Sequence, residues 1–194
     1  MAGAIIHIAT LLTALVASDG GAPSNDRAKP PQAKPSPRAE LEAALAKGAS
    51  PAELQHWAAT ADGLLMTLAA DPAAAEAVRG RALAGLAYAR NGRAHAFLEN
   101  FVIEKTPSSD RVDRLLVRRA AISLGWQGGP RVVEVLAPLL DSADAEVRVD
   151  AAAALGLTRA REAEAPLRAR LAVESDAGVK RQLEAAVKAV TAAR

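Results

Sequence analysis

The sequence predicts an all-α fold, an α-solenoid of about four stacked two-helix units. Three observations carry that prediction. A motif of Val-Arg followed by an alanine-rich run and Leu-Gly, clearest from Asp144 to Gly156 as D-A-E-V-R-V-D-A-A-A-A-L-G, recurs along the chain. Its weaker copies are V-R-G-R-A-L-A-G-L-A from Val78, V-R-R-A-A-I-S-L-G from Val117 and V-K-R-Q-L-E-A-A-V from Val179. Superposed on their ends, Leu86, Leu124, Leu155 and Val187 lie 38, 31 and 32 residues apart, a spacing that suits two helices and two turns per unit. The third observation is composition. The chain is 51% hydrophobic but only 3% aromatic, alanine is abundant, and few segments alternate like strands.

Taken in order, residues 1–18 form an apolar segment with the run A-I-I-H-I-A-T-L-L-T-A-L-V-A. It is short for a spanning helix, which needs roughly 20 residues, and suits the apolar core of a secretory signal. Small residues follow at Val16-Ala17-Ser18 and Gly20-Gly21-Ala22 where a peptidase would cut, although no Lys or Arg precedes the run and His7 interrupts it. A cleaved signal and a periplasmic or secreted location are expected; an uncleaved N-terminal anchor or a cytoplasmic protein are the alternatives. Residues 19–38 carry five prolines and almost nothing to bury, so a disordered linker is expected. Arg27, Lys29, Lys34 and Arg38 make it basic: a spacer, or alternatively a docking segment for an acidic surface.

The helical body spans 39–194, with 39–70 as an N-terminal cap or degenerate repeat and units at 71–106, 107–141, 142–174 and 175–194. A first helix over 39–47 ends at Gly48, a residue suited to the position after a helix. Ser50-Pro51-Ala52-Glu53 is a capping box with proline in the first turn, and its helix carries Leu54 and Trp57. Leu64, Leu65 and Leu68 mark the next helix, over 62–70. Asp71-Pro72 predicts the start of a long helix reaching Arg90, stopped by Asn91-Gly92. Residues 93–104 return with Phe97, Leu98, Phe101 and Val102 as a packing stripe. The interruption Thr106–Ser109 leads to a helix over 110–126, ended by Gly128-Gly129. Helices over 131–140, 145–157 and 162–173 follow, and Ser175-Asp176 starts the last.

Leu136–Gly156, L-A-P-L-L-D-S-A-D-A-E-V-R-V-D-A-A-A-A-L-G, resembles a HEAT-type repeat, in particular the short bacterial form shared with phycobilisome lyases. The likeness is strong over 130–157, clear over 110–125 and 176–190, and loose over 71–103. It implies a right-handed α-solenoid, and it implies that the Val-Arg arginines (Arg79, Arg118 and Arg148) bridge acidic turns and stacked units. Arg148 also stands four residues after Asp144, the spacing at which the two meet across one helical turn. For activity the resemblance carries little, because such arrays serve many roles.

Candidate chemistry is sparse. Lys+Arg number 24 and Asp+Glu 22, a formal charge of +2, too slight to point to nucleic acid by itself. There is no cysteine, hence no disulfide, thiolate metal site or thiol nucleophile. His7, His56 and His95 are scattered without metal-ligand spacing, and no nucleotide-binding or hydrolase motif is present. No catalytic residue, cofactor, metal or small-molecule ligand is therefore expected. Arg111, Arg114 and Arg118 share one helical face, with Arg131 soon after. They are a candidate stripe for an acidic protein or for phosphates, or a solvated face, with Asp110 and Asp113 beside them and no aromatic stripe for base stacking. Trp126, after Leu124-Gly125, is either a core plug or a binding anchor.

The expectation is a non-catalytic protein-interaction scaffold whose partner is another protein, with nucleic acid unlikely and the membrane touched only through the N-terminus. Two alternatives remain: a lyase-type accessory or chaperone-like factor, and nucleic-acid binding through the arginine stripe. A His, Tyr or acid pair converging on a pocket would favour the first.

Overall fold

The computed structural model describes residues 34–192, all helix and connecting turn, with no strand among them. The apolar segment 1–18 and the linker as far as residue 33 lie outside the described residues. Residues 35–194 form one compact unit.

Helix α1 (Pro37–Lys47) starts two residues before the expected 39 because Ser36 caps it and Pro37 occupies its first turn. Arg38, expected in the linker, therefore sits in that turn and pairs with Asp71. In α2 (Pro51–Thr60) the capping box forms as the sequence predicts: the Ser50 side chain accepts from the Glu53 N–H, and the Glu53 carboxylate accepts from the Ser50 N–H at 2.7 Å. Helix α3 (Asp62–Ala70) follows at once, burying Leu65 and Leu68.

The long helix expected from Asp71 to Arg90 is shorter, α4 (Glu76–Leu86). The Asp71 carboxylate accepts from the Ala73 N–H and holds 71–74 as a turn. Beyond Leu86, Ala87, Tyr88 and Ala89 donate to carbonyls only three residues back, and the helix winds out. Helix α5 (Gly92–Lys105) is capped by Asn91, and α6 (Arg111–Gln127) by Asp110, which accepts from two backbone N–H groups. Gly128 and Gly129 stop α6 with φ of +68° and +129°, values that favour glycine.

The helix expected over 131–140 divides into α7 (Val132–Leu136) and a 3-10 turn, Ala137–Asp141. Pro138 has no N–H to continue the α-helical ladder, so the chain tightens instead. Then come α8 (Ala145–Thr158), a 3-10 turn at Arg161–Ala163, α9 (Glu164–Val173) and α10 (Ala177–Ala192).

Packing follows the order of the chain. The hairpins are α3–α4, α5–α6, α7–α8 and α9–α10, and they stack so that α4, α6, α8 and α10 form one layer of second helices. Helices α1 and α2 cover α3 and α4 at the N-terminal end. The core between the layers is leucine, valine and alanine, with Leu83, Leu98, Leu116, Leu136 and Leu155 fully buried. Small residues set the spacing in the second layer. A Cβ on Gly125 would fall inside the Ala154 backbone, and one on Gly156 would lie 3.1 Å from the Ala186 Cα. The backbones of α6, α8 and α10 are thus in direct contact.

That contact predicts opposite responses in two helical glycines. Gly125→Ala is expected to cost about 1–3 kcal/mol or more, because backbone must move to admit the methyl group. Gly80→Ala, whose added Cβ meets only side-chain atoms at 3.8 Å and beyond, should be neutral or gain up to about 1 kcal/mol from helix propensity. Equilibrium unfolding of both variants checks this; equal responses would contradict the spacing.

Candidate functional site

The N-terminal ends of the second helices carry a repeated device. Counting from the cap, the fourth helical residue is Arg79 in α4, Arg114 in α6 and Arg148 in α8. Each turns back to a carbonyl of its own hairpin: Arg79 Nε donates to Ala69 O at 3.1 Å, Arg114 Nη1 to Ser109 O, and Arg148 Nη1 to Ser142 O at 2.8 Å. Arg114 and Arg148 also reach forward. Arg114 Nε lies 3.1 Å from Asp144 Oδ2, and Arg148 forks onto Glu174 with Nε–Oε2 at 2.8 Å and Nη2–Oε1 at 3.1 Å. Arg148 therefore does not use its own Asp144. That carboxylate caps the Glu146 N–H and receives Arg114 from the preceding unit.

The shared Val-Arg pair matches Arg118 with Arg148, but α6 has 17 residues and α8 has 14. The extra turn moves the bridging arginine to Arg114 and leaves Arg118 further along the helix. There it donates to Asp150 at 2.6 Å and pairs with Glu146. Burial works against its charge, and the two carboxylates outweigh it and hold Arg118 protonated. Arg111 pairs with Glu76 at 2.7 Å, and Arg131 lies 3.6 Å from Glu99. The four candidate arginines thus all have carboxylates of this same chain beside them. Their charge is spent joining elements.

Trp126 stands apart. Its ring is 57% exposed at the C-terminal end of α6, on a ridge between two depressions. One, about 260 Å³, is lined by Ala84, Ala87, Tyr88, Arg119, Ile122, Ser123 and Trp126. The other, about 360 Å³, lies toward Arg90, Asn91, His95 and Gly128–Pro130. Leu157 occupies the matching place after Gly156 in α8 and is 39% exposed. Tyr88, just past the end of α4, stands two residues after Leu86, as Trp126 and Leu157 stand two residues after Leu124 and Leu155.

Behind Trp126 a polar chain joins three hairpins. Gln127 Nε2 donates to Leu86 O at 2.6 Å and Ala89 O at 3.0 Å, and its Oε1 lies 2.9 Å from His95 Nδ1. His95 Nε2 is 3.4 Å from Glu99, the carboxylate that Arg131 approaches. A histidine and an acid do converge at the rim of this cleft, with His95 Nδ1 bonded to Gln127 and Nε2 beside the Glu99 carboxylate. The arrangement links α4, α5 and α6. Among the described residues no three His, Asp or Glu side chains are grouped to hold a metal ion.

Glu174, 4% exposed, was missed by the sequence reading, because an acid at the end of a first helix looks like any solvated glutamate. Its partners are Arg148, Arg170 at 2.9 Å, and the N–H groups of Ser175 and Asp176, each at 2.9 Å.

Compared with known proteins, residues 109–188 match the HEAT repeats family. The matched stretch covers α6 to most of α10 and is similar to HEAT repeats, an architecture that generally mediates protein binding. No curated protein shows significant similarity to the chain.

The Glu174 cluster generates a pH prediction. The Arg148 guanidinium first, then the Asp176 N–H, hold the carboxyl well below the ordinary value of 4.5; burial opposes, and Arg170 and the Ser175 N–H add to the lowering. A depressed folded-state value gives stability that is complete above the unfolded-state value and lost as pH falls toward the folded one. Glu174→Gln should therefore melt well below the parent at about pH 7, with the gap narrowing toward about pH 3. A gap independent of pH would contradict the coupling.

Proposed function

We propose that this protein is an exported, non-catalytic scaffold that binds another protein through the outer face of its second helices, with Trp126 as the anchor. The observation that carries the reading is the exposure of that one large ring at a point where the rest of the layer is held rigid. Tryptophan is favoured at binding hot spots because a large apolar area is buried with few rotamers to freeze. The stacked repeats lower the cost further by presenting the ring on helices tied to both neighbours. The HEAT repeat region supports a protein partner. The pairing of Arg111, Arg114, Arg118 and Arg131 with internal carboxylates counts against a phosphate-reading stripe.

Three measurements test the proposal. Trp126→Ala should change unfolding stability by less than about 0.5 kcal/mol, as expected of an exposed side chain. The same variant should weaken capture of the partner cross-linked to the native protein in its own cells by about thirtyfold or more, the effect of losing a hot spot. Undiminished capture would remove Trp126 from the interface. For export, the intact mass of the mature protein from its host should lack residues 1–18 or 1–22; a full-length chain in the cytosolic fraction would overturn that part.

A further inference from the structure

The layer of second helices is not evenly closed. At α6–α8 and α8–α10 the backbones touch through Gly125 and Gly156. At the end of α4 the matching position is Ala87, just past the helix, and α4 is held to α6 by polar links, Ser123 Oγ to Leu83 O at 2.9 Å and Gln127 Nε2 to Leu86 O. A trough opens between them. It consists of two depressions, about 380 Å³ and 260 Å³, that share Ala84 and Arg119. From Glu76 to Leu86 it follows about 15 Å of helix, or roughly three turns, and Tyr88 lies at its end.

Its walls and floor differ in character. Leu115, Ile122 and Trp126 rise on the α6 side, while Ala77, Gly80 and Ala84 keep the α4 side low. Both walls are helices whose backbone groups are bonded internally, so they offer no edge for an added strand. A helix with apolar residues at i, i+3, i+4 and i+7 fits such a trough, small residues allowing close approach and large ones gripping its flank.

Charge specifies the occupant further. The stem of Arg119 lies against Gly80, 3.8 Å from where its Cβ would be, and its guanidinium has no carboxylate partner among the described residues. The carboxylate on the rim, Glu76, is taken by Arg111. Arg81 bonds only backbone carbonyls of α1. The trough is therefore basic along its middle.

We propose that the α4–α6 trough docks an amphipathic helix of the partner protein, apolar on one side and carrying a carboxylate that meets Arg119. The inference rests on the second-helix face being the binding face, and narrows it to one groove and one kind of ligand.

The test uses the full chain and three labelled synthetic peptides of about 15 residues, long enough for helix to form on binding. Two share a leucine stripe and differ in flanking charge, Glu or Lys; the third is the Glu peptide with a central proline. Fluorescence anisotropy at low salt should show the Glu peptide binding at least about tenfold tighter than the other two, because like charges disfavour the Lys helix and proline breaks the other. Arg119→Glu should reverse the charge preference, and Trp126→Ala should weaken both helical peptides. No binding of the Glu peptide, equal binding of the three, or a preference unmoved by Arg119→Glu overturns the trough. If Trp126→Ala still weakens capture of the native partner in that case, the broader reading stands; if that capture is also unaffected, both fall.

Discussion

An arginine at the fourth position of a helix satisfies, in one side chain, two needs that stacking creates. The turn that closes each hairpin leaves carbonyl groups without helical partners. The next unit brings a carboxylate into a place where water is scarce. Arg148 donates to Ser142 O and Ala143 O on one side and forks onto Glu174 on the other. A planar guanidinium suits both because its donors diverge within one plane. Removing the arginine would leave a carboxylate that is 4% exposed without its main counter-charge, and such uncompensated burial is strongly destabilising. Register between units follows from this geometry, since the helix can neither slide nor rotate without losing one set of bonds.

That constraint also governs the surface. With arginines drawn into the joints, and Gly125 and Gly156 letting α6, α8 and α10 touch, the C-terminal part of the array is closed and the arginines at its joints are paired. Facing outward are Trp126 and Leu157, in the row after the Leu-Gly positions, and Arg119 in the gap beside α4. Function and assembly thus draw on different residues of the same helix. Arg118 looks across to Asp150, while Arg119, one position on, remains exposed.

Much of the fold was legible because its signals are local. Ser50 and Glu53 form a capping box in the sequence and in space, and the recurring Leu-Gly gave the register of the stack. The elements that differed depend on less local causes. Asp71 was read as a cap but instead forms a turn that delays α4 by several residues. Pro138 tightens a helix that the apolar pattern alone would carry through. The longer α6 is invisible when copies are aligned at one end, so Arg118 was matched to a place that Arg114 fills. Of the candidate site, Trp126 could be named but not oriented, since a ring after Leu-Gly faces core or solvent according to how closely the next helix approaches. The arginines could be named too, but their partners lie about thirty residues away on neighbouring units, where no one-turn spacing rule reaches.

The central claim is that arginine–carboxylate pairs tie each hairpin to the next, and a double-mutant cycle on Arg118 and Asp150 tests it most directly. Both side chains are largely covered, 28% and 25% exposed, and neither touches the Trp126 ridge. Unfolding free energies of Arg118→Ala, Asp150→Ala and the double variant should give a coupling of about 1 kcal/mol or more, within the range for residues in direct contact. A coupling near zero, with Arg118→Ala as stable as the parent, would mean that the arginines form a solvated face and that packing alone sets the stack.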